Sequence, residues 1–182
     1  MPVDFIAATT RELRSLKRAA ERAMAQVSDE QYFCSLDPET NSIAVLVKHI
    51  SGNMRSRWSD FLTTDGEKPW RDRDSEFRIQ PGDTRAALAE RWEQGWNIVL
   101  GTLEALGPAD FERKVGIRAE PYTVVGATQR SLAHYSDHVG QIILLAKHFA
   151  GEKWQTLSIP RGKSQEVNEA FIAKQKEKAQ QR

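Results

Sequence analysis

The sequence has little of what would direct a chain to an oxidising compartment or a membrane. Cys34 is its one cysteine, so no internal disulfide can form and a reducing compartment is expected. The first residues, MPVDFIAATTREL, lack the basic and then apolar layout of a signal peptide. No apolar run approaches the roughly 20 residues of a membrane span. We therefore expect a cytoplasmic protein without a membrane partner.

An excess of charge of one sign is also missing. The 26 basic residues nearly balance the 25 acidic ones, and the formal net charge of +1 gives no global attraction to nucleic acid. Charged residues make up 28% and apolar residues 40%, which is typical of globular proteins. The length suits one core, so we predict a single domain over residues 1–182, with a bundle over about 5–151 and a C-terminal extension over 152–182.

Four segments show the three- and four-residue apolar spacing of amphipathic helices. The predicted helices cover about residues 13–27, 41–63, 83–106 and 125–149. Asn41 or Ser42 can cap the second helix, Asp83 or Thr84 the third, and Gly151 suits the end of the fourth. A lone helix cannot bury its apolar stripe, so the sequence predicts an all-α fold, a four-helix bundle.

The segments between and after these helices carry weaker patterns. From Ser164 onward, Val167, Phe171 and Ile172 predict an extra short C-terminal helix packed on the outside of the bundle. The alternation in residues 112–123 is compatible with a small β-hairpin before the fourth helix. The long loop over 64–82 is a candidate wall of a substrate pocket, and a solvated loop with surface ion pairs explains its composition equally well. Its Trp70 either anchors the loop to the bundle or lines a cavity or an interface.

The stretch LAHYSDHVGQI in the fourth helix places His134 and His138 four residues apart. Such residues project from one helix face, about 6 Å apart along the axis, so both imidazoles can reach one divalent ion. Taken by itself, this spacing more often belongs to an ordinary half-exposed pair than to a metal site.

His49 lies in the second helix, at the edge of the apolar stripe of SIAVLVKHISGNM. Alone, a histidine there is more often a hydrogen-bonded residue than a ligand. In a bundle, however, facing helices can bring inward side chains together, and His49, His134 and His138 would leave one coordination position open. His148 lies about 15 Å further along the fourth helix and is not expected to join them. No residue is predicted as the general base.

The two-histidine spacing also occurs in zinc peptidases, but the glutamate of those motifs is absent. Tyr135 stands where the HExxH pattern needs glutamate. Asp137 stands where the HxxEH pattern needs it, and its side chain is one methylene too short. The sequence therefore argues against a peptidase.

The stretches LVKHISGNMRSRW and HYSDHVGQI resemble the DinB-like superfamily of four-helix-bundle metalloproteins. In that family, one histidine of the second helix and an HxxxH pair of the last bundle helix bind a divalent metal, which here implies His49, His134 and His138. Val139 replaces the arginine that usually follows the last ligand. The resemblance covers about residues 5–151 and is closer to a subgroup without an established activity. Related members include S-transferases that use bacillithiol and isomerases that use mycothiol.

An open three-histidine site with zinc or nickel can activate either a water or a thiol. A metal-dependent thiol S-transferase and a hydrolase therefore both fit, each acting on a small molecule that the sequence does not identify. Arg161 and Lys163 precede a predicted helix start and are candidates for holding the carboxylate of a low-molecular-weight thiol cofactor. Cys34 is predicted to be a buried small hydrophobe rather than a nucleophile.

A second hypothesis comes from another functional class. The bundle would be a non-catalytic interaction module, a homodimer formed through aromatic-rich helix faces, with a structural metal or none. Trp58, Trp92 and Trp96 are the residues that could fill such an interface, although core packing is their commoner use.

Overall fold

A computed structural model describes residues 2–180, and within them the chain forms six α-helices and one β-hairpin. The α-helices are α1 Pro2–Met24, α2 Asp29–Phe33, α3 Ile43–Trp58, α4 Arg85–Ala105, α5 Val124–Ala150 and α6 Ser164–Gln180. Short 3-10 turns cover Asp74–Phe77, Pro108–Glu112 and Gly151–Lys153. The strands are β1 Lys114–Ile117 and β2 Glu120–Thr123. The predicted all-α bundle is confirmed, including its hairpin and C-terminal helix.

The starts of the long helices follow from hydroxyl side chains. Ser42, Thr84 and Thr123 each accept a hydrogen bond from the backbone N–H three residues further on, which satisfies a donor that the first helical turn leaves free. α3 ends at Trp58, five residues earlier than predicted. The chain turns there because Asp60 adopts a left-handed conformation, with a φ of 51°.

The four long helices bury their apolar stripes against one another. α3 packs mainly on α4, and α1 packs mainly on α5. Trp58, Trp92 and Trp96 are at most 2% exposed, so these side chains form part of the core. The suggestion that they line a dimer interface is therefore wrong. The largest buried side chains around them are Leu13, Ile43, Leu46, Ile50, Met54, Leu88, Leu103, Tyr135 and Ile142.

The hairpin lies directly before α5 and turns at Arg118 and Ala119. β1 and β2 pair antiparallel, with Ile117 opposite Glu120. The two turn residues have φ values of 55° and 61°, which is the left-handed geometry of a two-residue hairpin turn. Asp65 offsets the cost of this conformation, because its carboxylate accepts both turn N–H groups at 2.8 Å. The chain after α3 is thereby tied to the hairpin.

Three details differ from the sequence-based expectations. The short helix α2 has no predicted counterpart; Ser28 and Gln31 form a capping box at its start. α6 is exposed along its length, and Phe171 is 62% exposed, so the expected packing on the bundle is wrong. Cys34 is also exposed, because it follows the last residue of α2 in an extended conformation.

Within residues 2–180, no helix combines the length and apolarity that crossing a membrane requires.

Candidate metal centre

α3 and α5 bring three imidazoles to one point. His49 extends from α3, and His134 and His138 extend from one face of α5. The Nε2 atom of His134 lies 3.4 Å from Nε2 of His49 and 3.1 Å from Nε2 of His138. One candidate ligand atom of each residue lies within 4.8 Å of the others. The three histidines named from the sequence are therefore close enough to share one ion.

The spacing of these nitrogen atoms suits a single metal ion. Nitrogen ligands about 2.1 Å from a tetrahedral ion lie about 3.4 Å from one another. The separations of His134 Nε2 from the other two Nε2 atoms, 3.1 and 3.4 Å, are close to this value. The donor set fits a divalent ion such as zinc or nickel, because imidazole nitrogen is a good ligand for both.

His49 is held in place by residues of the loop that follows α3. Its Nδ1 lies 2.8 Å from Oε2 of Glu76, and its ring packs on Phe77 with the centroids 4.8 Å apart. Arg71 donates two hydrogen bonds of 2.8 Å to the same carboxylate. An ionised carboxylate only accepts, so it fixes the proton of His49 on Nδ1 and directs the Nε2 lone pair toward His134. Carboxylates commonly orient metal-binding histidines in this way.

Gly52 makes the contact between Glu76 and α3 possible. A Cβ atom at this position would lie 2.2 Å from Oε1 of Glu76, far inside the van der Waals distance. Gly52 is one helical turn from His49, so the missing side chain leaves room for the carboxylate beside the imidazole. The need for glycine here is steric.

The surroundings of the cluster lower the pKa values of two of its imidazoles and of the Glu76 carboxyl. Burial, followed by the neighbouring His138 and His49, lowers the pKa of His134 to about 3. Burial and His49 also lower the pKa of His138. Burial by itself would raise the pKa of Glu76, but its hydrogen bonds to His49 and Arg71 outweigh that effect and the pKa is lowered. Near neutral pH His134 and His138 are therefore uncharged and Glu76 is an anionic carboxylate.

Tyr135 lies next to His134 in the chain but faces the core. Its hydroxyl accepts a hydrogen bond from Nε1 of Trp58 at 3.0 Å and donates to Oδ1 of Asn53 at 3.3 Å. The side chain is fully buried, which raises its pKa. Tyr135 therefore packs between the helices and fixes the amide of Asn53.

A cavity of about 400 Å³ opens beside the imidazoles. His49 and His134 form part of its lining, together with Asn53, Ser131 and several arginines. Arg71 and Arg73 come from the 64–82 loop, so this loop does line the cavity. The volume is within the range of small-molecule sites.

The remaining sequence-predicted residues lie apart from this cavity. His148 is exposed and packs beside Phe149. Arg161 and Lys163 are exposed and are not among the residues that line the cavity; Lys163 pairs with Glu166 at 2.8 Å. Their role in holding a thiol cofactor stays a prediction. Trp70 is half exposed, lies under Arg55 at 4.6 Å, and lines a second cavity of about 620 Å³.

Sequence reasoning missed Glu76, Arg71 and Gly52. Nothing in the loop sequence distinguishes Glu76 from its four neighbouring acids, because its contact with His49 depends on how the loop folds back. Arg57 and Arg130 were also missed, although their spacing carries a signal. Arg57 follows His49 by eight residues and Arg130 precedes His134 by four, which are the steps that keep side chains on one helix face.

Comparison with known families places the chain in one of them. The model of the DUF1572 family, described as a protein family of unknown function, matches residues 1–163. The chain therefore belongs to the DUF1572 family. The match includes all three histidines of the cluster and ends before α6. A search of curated proteins finds no match.

Proposed function

We propose that this member of the DUF1572 family is a DinB-like, metal-dependent enzyme that acts on a small molecule. His49, His134 and His138 would hold a divalent ion, with zinc or nickel as the preferred candidates. The observation that carries the proposal is the approach of three imidazole ligand atoms to within 4.8 Å of one another, beside a cavity of about 400 Å³.

The arrangement supports a catalytic site better than a purely structural one. Structural zinc sites have four protein ligands, whereas three protein ligands beside a cavity are typical of catalytic sites. When bound, the ion supplies Lewis acidity, which activates a water or a thiol near neutral pH. A hydrolase and a thiol S-transferase would use the same three histidines, so both reactions are retained in the proposal.

The chain's own residues have separable tasks in this proposal. Glu76 holds the His49 proton on Nδ1 and keeps the imidazole oriented, and Arg71 keeps Glu76 ionised. Phe77 covers one face of the His49 ring. Asn53 offers an amide to the cavity while Tyr135 fixes its carbonyl oxygen. Glu76, Arg71 and Phe77 are positioning residues, since they act through His49.

The first test is metal content after removal of one ligand. Wild-type protein is expected to retain about one divalent ion per chain after dialysis, and His138→Ala is expected to lose most of it, since two ligands hold an ion weakly. His148→Ala is the matched control, because it removes an exposed imidazole from the same helix. Elemental analysis by mass spectrometry measures all three proteins. Full metal stoichiometry in His138→Ala would disprove the assigned site.

The second test asks whether a coordination position is open. Cobalt-substituted protein is mixed with a small thiol or with azide, and its visible absorption is recorded. A shifted spectrum is expected if an exogenous ligand binds. An unchanged spectrum, together with a steep fall in melting temperature on chelation, would indicate a structural metal instead.

The single domain, the cytoplasmic location and a homodimer stay predictions.

A further inference from the structure

We infer that the cavity beside the imidazoles is an anion-binding site, and that the substrate is a small molecule carrying a carboxylate or phosphate group. The substrate class rests on the proposed function, because it assumes that the protein is an enzyme. The anion site itself does not depend on a bound metal. The cavity lining contains five arginines: Arg57, Arg71, Arg73, Arg118 and Arg130. Within the part of the chain that the structure describes, the lining includes no aspartate or glutamate.

The positive charge of these arginines is only partly neutralised by their acidic partners. Glu67 pairs with Arg57 at 3.2 Å and with Arg118 at 2.8 Å, so one carboxylate is shared by two guanidiniums. Glu76 pairs with Arg71 at 2.8 Å and is also engaged by His49. These two carboxylates face three of the five guanidiniums, and positive charge remains in excess.

The other two arginines contact aromatic rings. Arg73 lies 4.9 Å from the ring centroid of Phe77, and Arg130 lies 5.7 Å from that of Tyr122. Among residues 2–180, neither has a carboxylate within ion-pair distance. Their donors therefore remain free for a ligand at the mouth of the cavity.

Arg57 supplies the site with a buried guanidinium that has one unsatisfied donor. Its side chain is 9% exposed, and its Nη1 atom is buried without a hydrogen-bond partner in the described part of the chain. An unsatisfied buried donor is unfavourable, and more so when it is charged. Gly66 leaves space for this guanidinium, since a Cβ there would lie 3.0 Å from Cδ of Arg57. The site is therefore built around a buried arginine rather than formed by flexible surface side chains.

The helix geometry relates the anion site to the imidazoles. His49, Asn53 and Arg57 follow one another at steps of four residues on α3, and Arg130, His134 and His138 do so on α5. The backbones of His49 and Arg57 lie about 12 Å apart along the helix axis. If Arg57 held the anionic group of a small molecule, the reacting part of that molecule could therefore extend along the cavity toward the imidazoles.

The hairpin supplies the outer part of the site. Arg118 occupies the left-handed turn between β1 and β2, and Asp65 accepts the N–H groups of that turn. The N–H of Gly66 donates to the carbonyl of Gly116 at 2.8 Å. The segment that carries Glu67 and the hairpin that carries Arg118 are thus joined, which holds Arg118 and Arg57 around one carboxylate.

The test measures binding of inorganic phosphate and of acetate by isothermal titration calorimetry at low ionic strength. Wild-type protein is expected to bind at least one of them, and the tighter of the two identifies the anionic group. Arg57→Gln should weaken binding at least about tenfold, because one charge-assisted contact is lost. Arg55→Gln is the matched control: it lies on the same helix but lines the second cavity, and its affinity should match the wild type.

Glu67→Gln gives an effect of opposite sign. Removing the carboxylate that occupies Arg57 and Arg118 should tighten phosphate binding severalfold, which a merely structural role of Glu67 would not produce. If Arg57→Gln does not fold, Arg130→Gln replaces it, since Arg130 is exposed. A loss of about two- to fivefold is then expected, as for one exposed charge, and unchanged affinity in this variant would overturn the anion site.

Metal content of the same samples separates this inference from the proposed function. Binding of phosphate that depends on Arg57 in metal-free protein would support the anion site even if the enzyme proposal failed. A wild type that holds metal but binds neither phosphate nor acetate would overturn the anion site and leave the metal centre intact. Equal binding by wild type and a folded Arg57→Gln variant would also overturn it.

Discussion

Lys48 and His49 are neighbours on α3, and both are buried against the loop that follows this helix, yet they belong to different kinds of network. Lys48 donates to Oδ2 of Asp83 at 2.5 Å and to the carbonyl of Arg78 at 2.7 Å. Asp83 also accepts from Arg91 and from the backbone of Gln80, each at 2.9 Å. This network is closed, because its charged groups are satisfied by one another.

The His49 network is closed on one side only. Nδ1 is bound to Glu76, which Arg71 also holds, but Nε2 faces two other imidazoles beside the cavity. The two networks anchor the same loop at Glu76 and Asp83. Burial and charge therefore do not distinguish a structural network from a candidate site, and neither does a cavity wall, because Lys48 and Arg91 line the second cavity. What distinguishes the His49 network is a ligand atom, Nε2, that has no charged partner and lies close to two other imidazoles. The following predictions test this distinction, beginning with the largest expected effect.

Lys48→Met should destabilise the fold without affecting the metal. Removing one member of a buried ion pair costs about 3 kcal/mol, because Asp83 loses its buried partner. Urea unfolding measures the loss, and the folded variant should keep the wild-type metal content. Lys163→Met removes an exposed ion pair and should leave the unfolding midpoint unchanged. Loss of metal from folded Lys48→Met would show that the two networks are one.

Glu76→Gln should show the opposite pattern and mainly weaken metal binding. An amide orients His49 less strongly than a carboxylate, so the affinity for zinc should fall about 10- to 100-fold. Competition with a chromophoric chelator measures the affinity. Asp72→Asn, an exposed change in the same loop, is the control and should bind zinc as the wild type does. Wild-type affinity in Glu76→Gln would mean that the carboxylate does not position the ligand.

Gly52→Ala tests the same contact without changing a polar group. The new Cβ would displace Glu76, so zinc affinity should fall by up to about tenfold, as expected for the loss of a supporting carboxylate. Gly101→Ala on α4 is the control, because nothing lies within 4 Å of its added Cβ. That change should stabilise the helix by up to about 1 kcal/mol. Equal zinc affinities in the two variants would contradict the steric role of Gly52.

The smallest effect is expected from pH, and it concerns the closed network. Burial would raise the pKa of Asp83, but its hydrogen bonds to Lys48 and Gln80 and the charges of Lys48 and Arg91 lower it overall. A pKa below the unfolded value of about 3.9 stabilises the fold above that pH and ceases to do so as pH falls through the lowered pKa. Asp83→Asn should therefore show less loss of stability below about pH 4 than the wild type, measured by urea unfolding.

The sequence contained enough information for the helices and for the three histidines, but not for the groups that support them. Apolar periodicity and the caps at Ser42 and Thr84 depend on nearby residues, so they are readable along the chain. Glu76 contacts His49 across 27 residues, and its neighbours in the loop are equally acidic. The early end of α3 was missed because the left-handed turn at Asp60 interrupts a continuing apolar pattern.

The exposure of Cys34 and α6 was missed for a different reason. Aromatic neighbours suggested a buried cysteine, and three apolar residues suggested a docked helix, but local composition does not determine which surface remains to be covered. The arginine site was recoverable in principle, since Arg57 and Arg130 keep the four-residue steps of the histidines. Recognising it required knowing that α3 and α5 face one cavity.

The position of the three histidines along the chain determines when the cluster can exist. His49 and His134 are separated by 85 residues. During synthesis, His49 and Glu76 are made well before α5, so a nascent chain holds one imidazole and its carboxylate with nothing opposite them. Contacts between distant segments form late, after the loop between them has closed. Binding of the proposed ion would thus require that α5 has joined the bundle, and a chain truncated before α5 would lack two of the three proposed ligands.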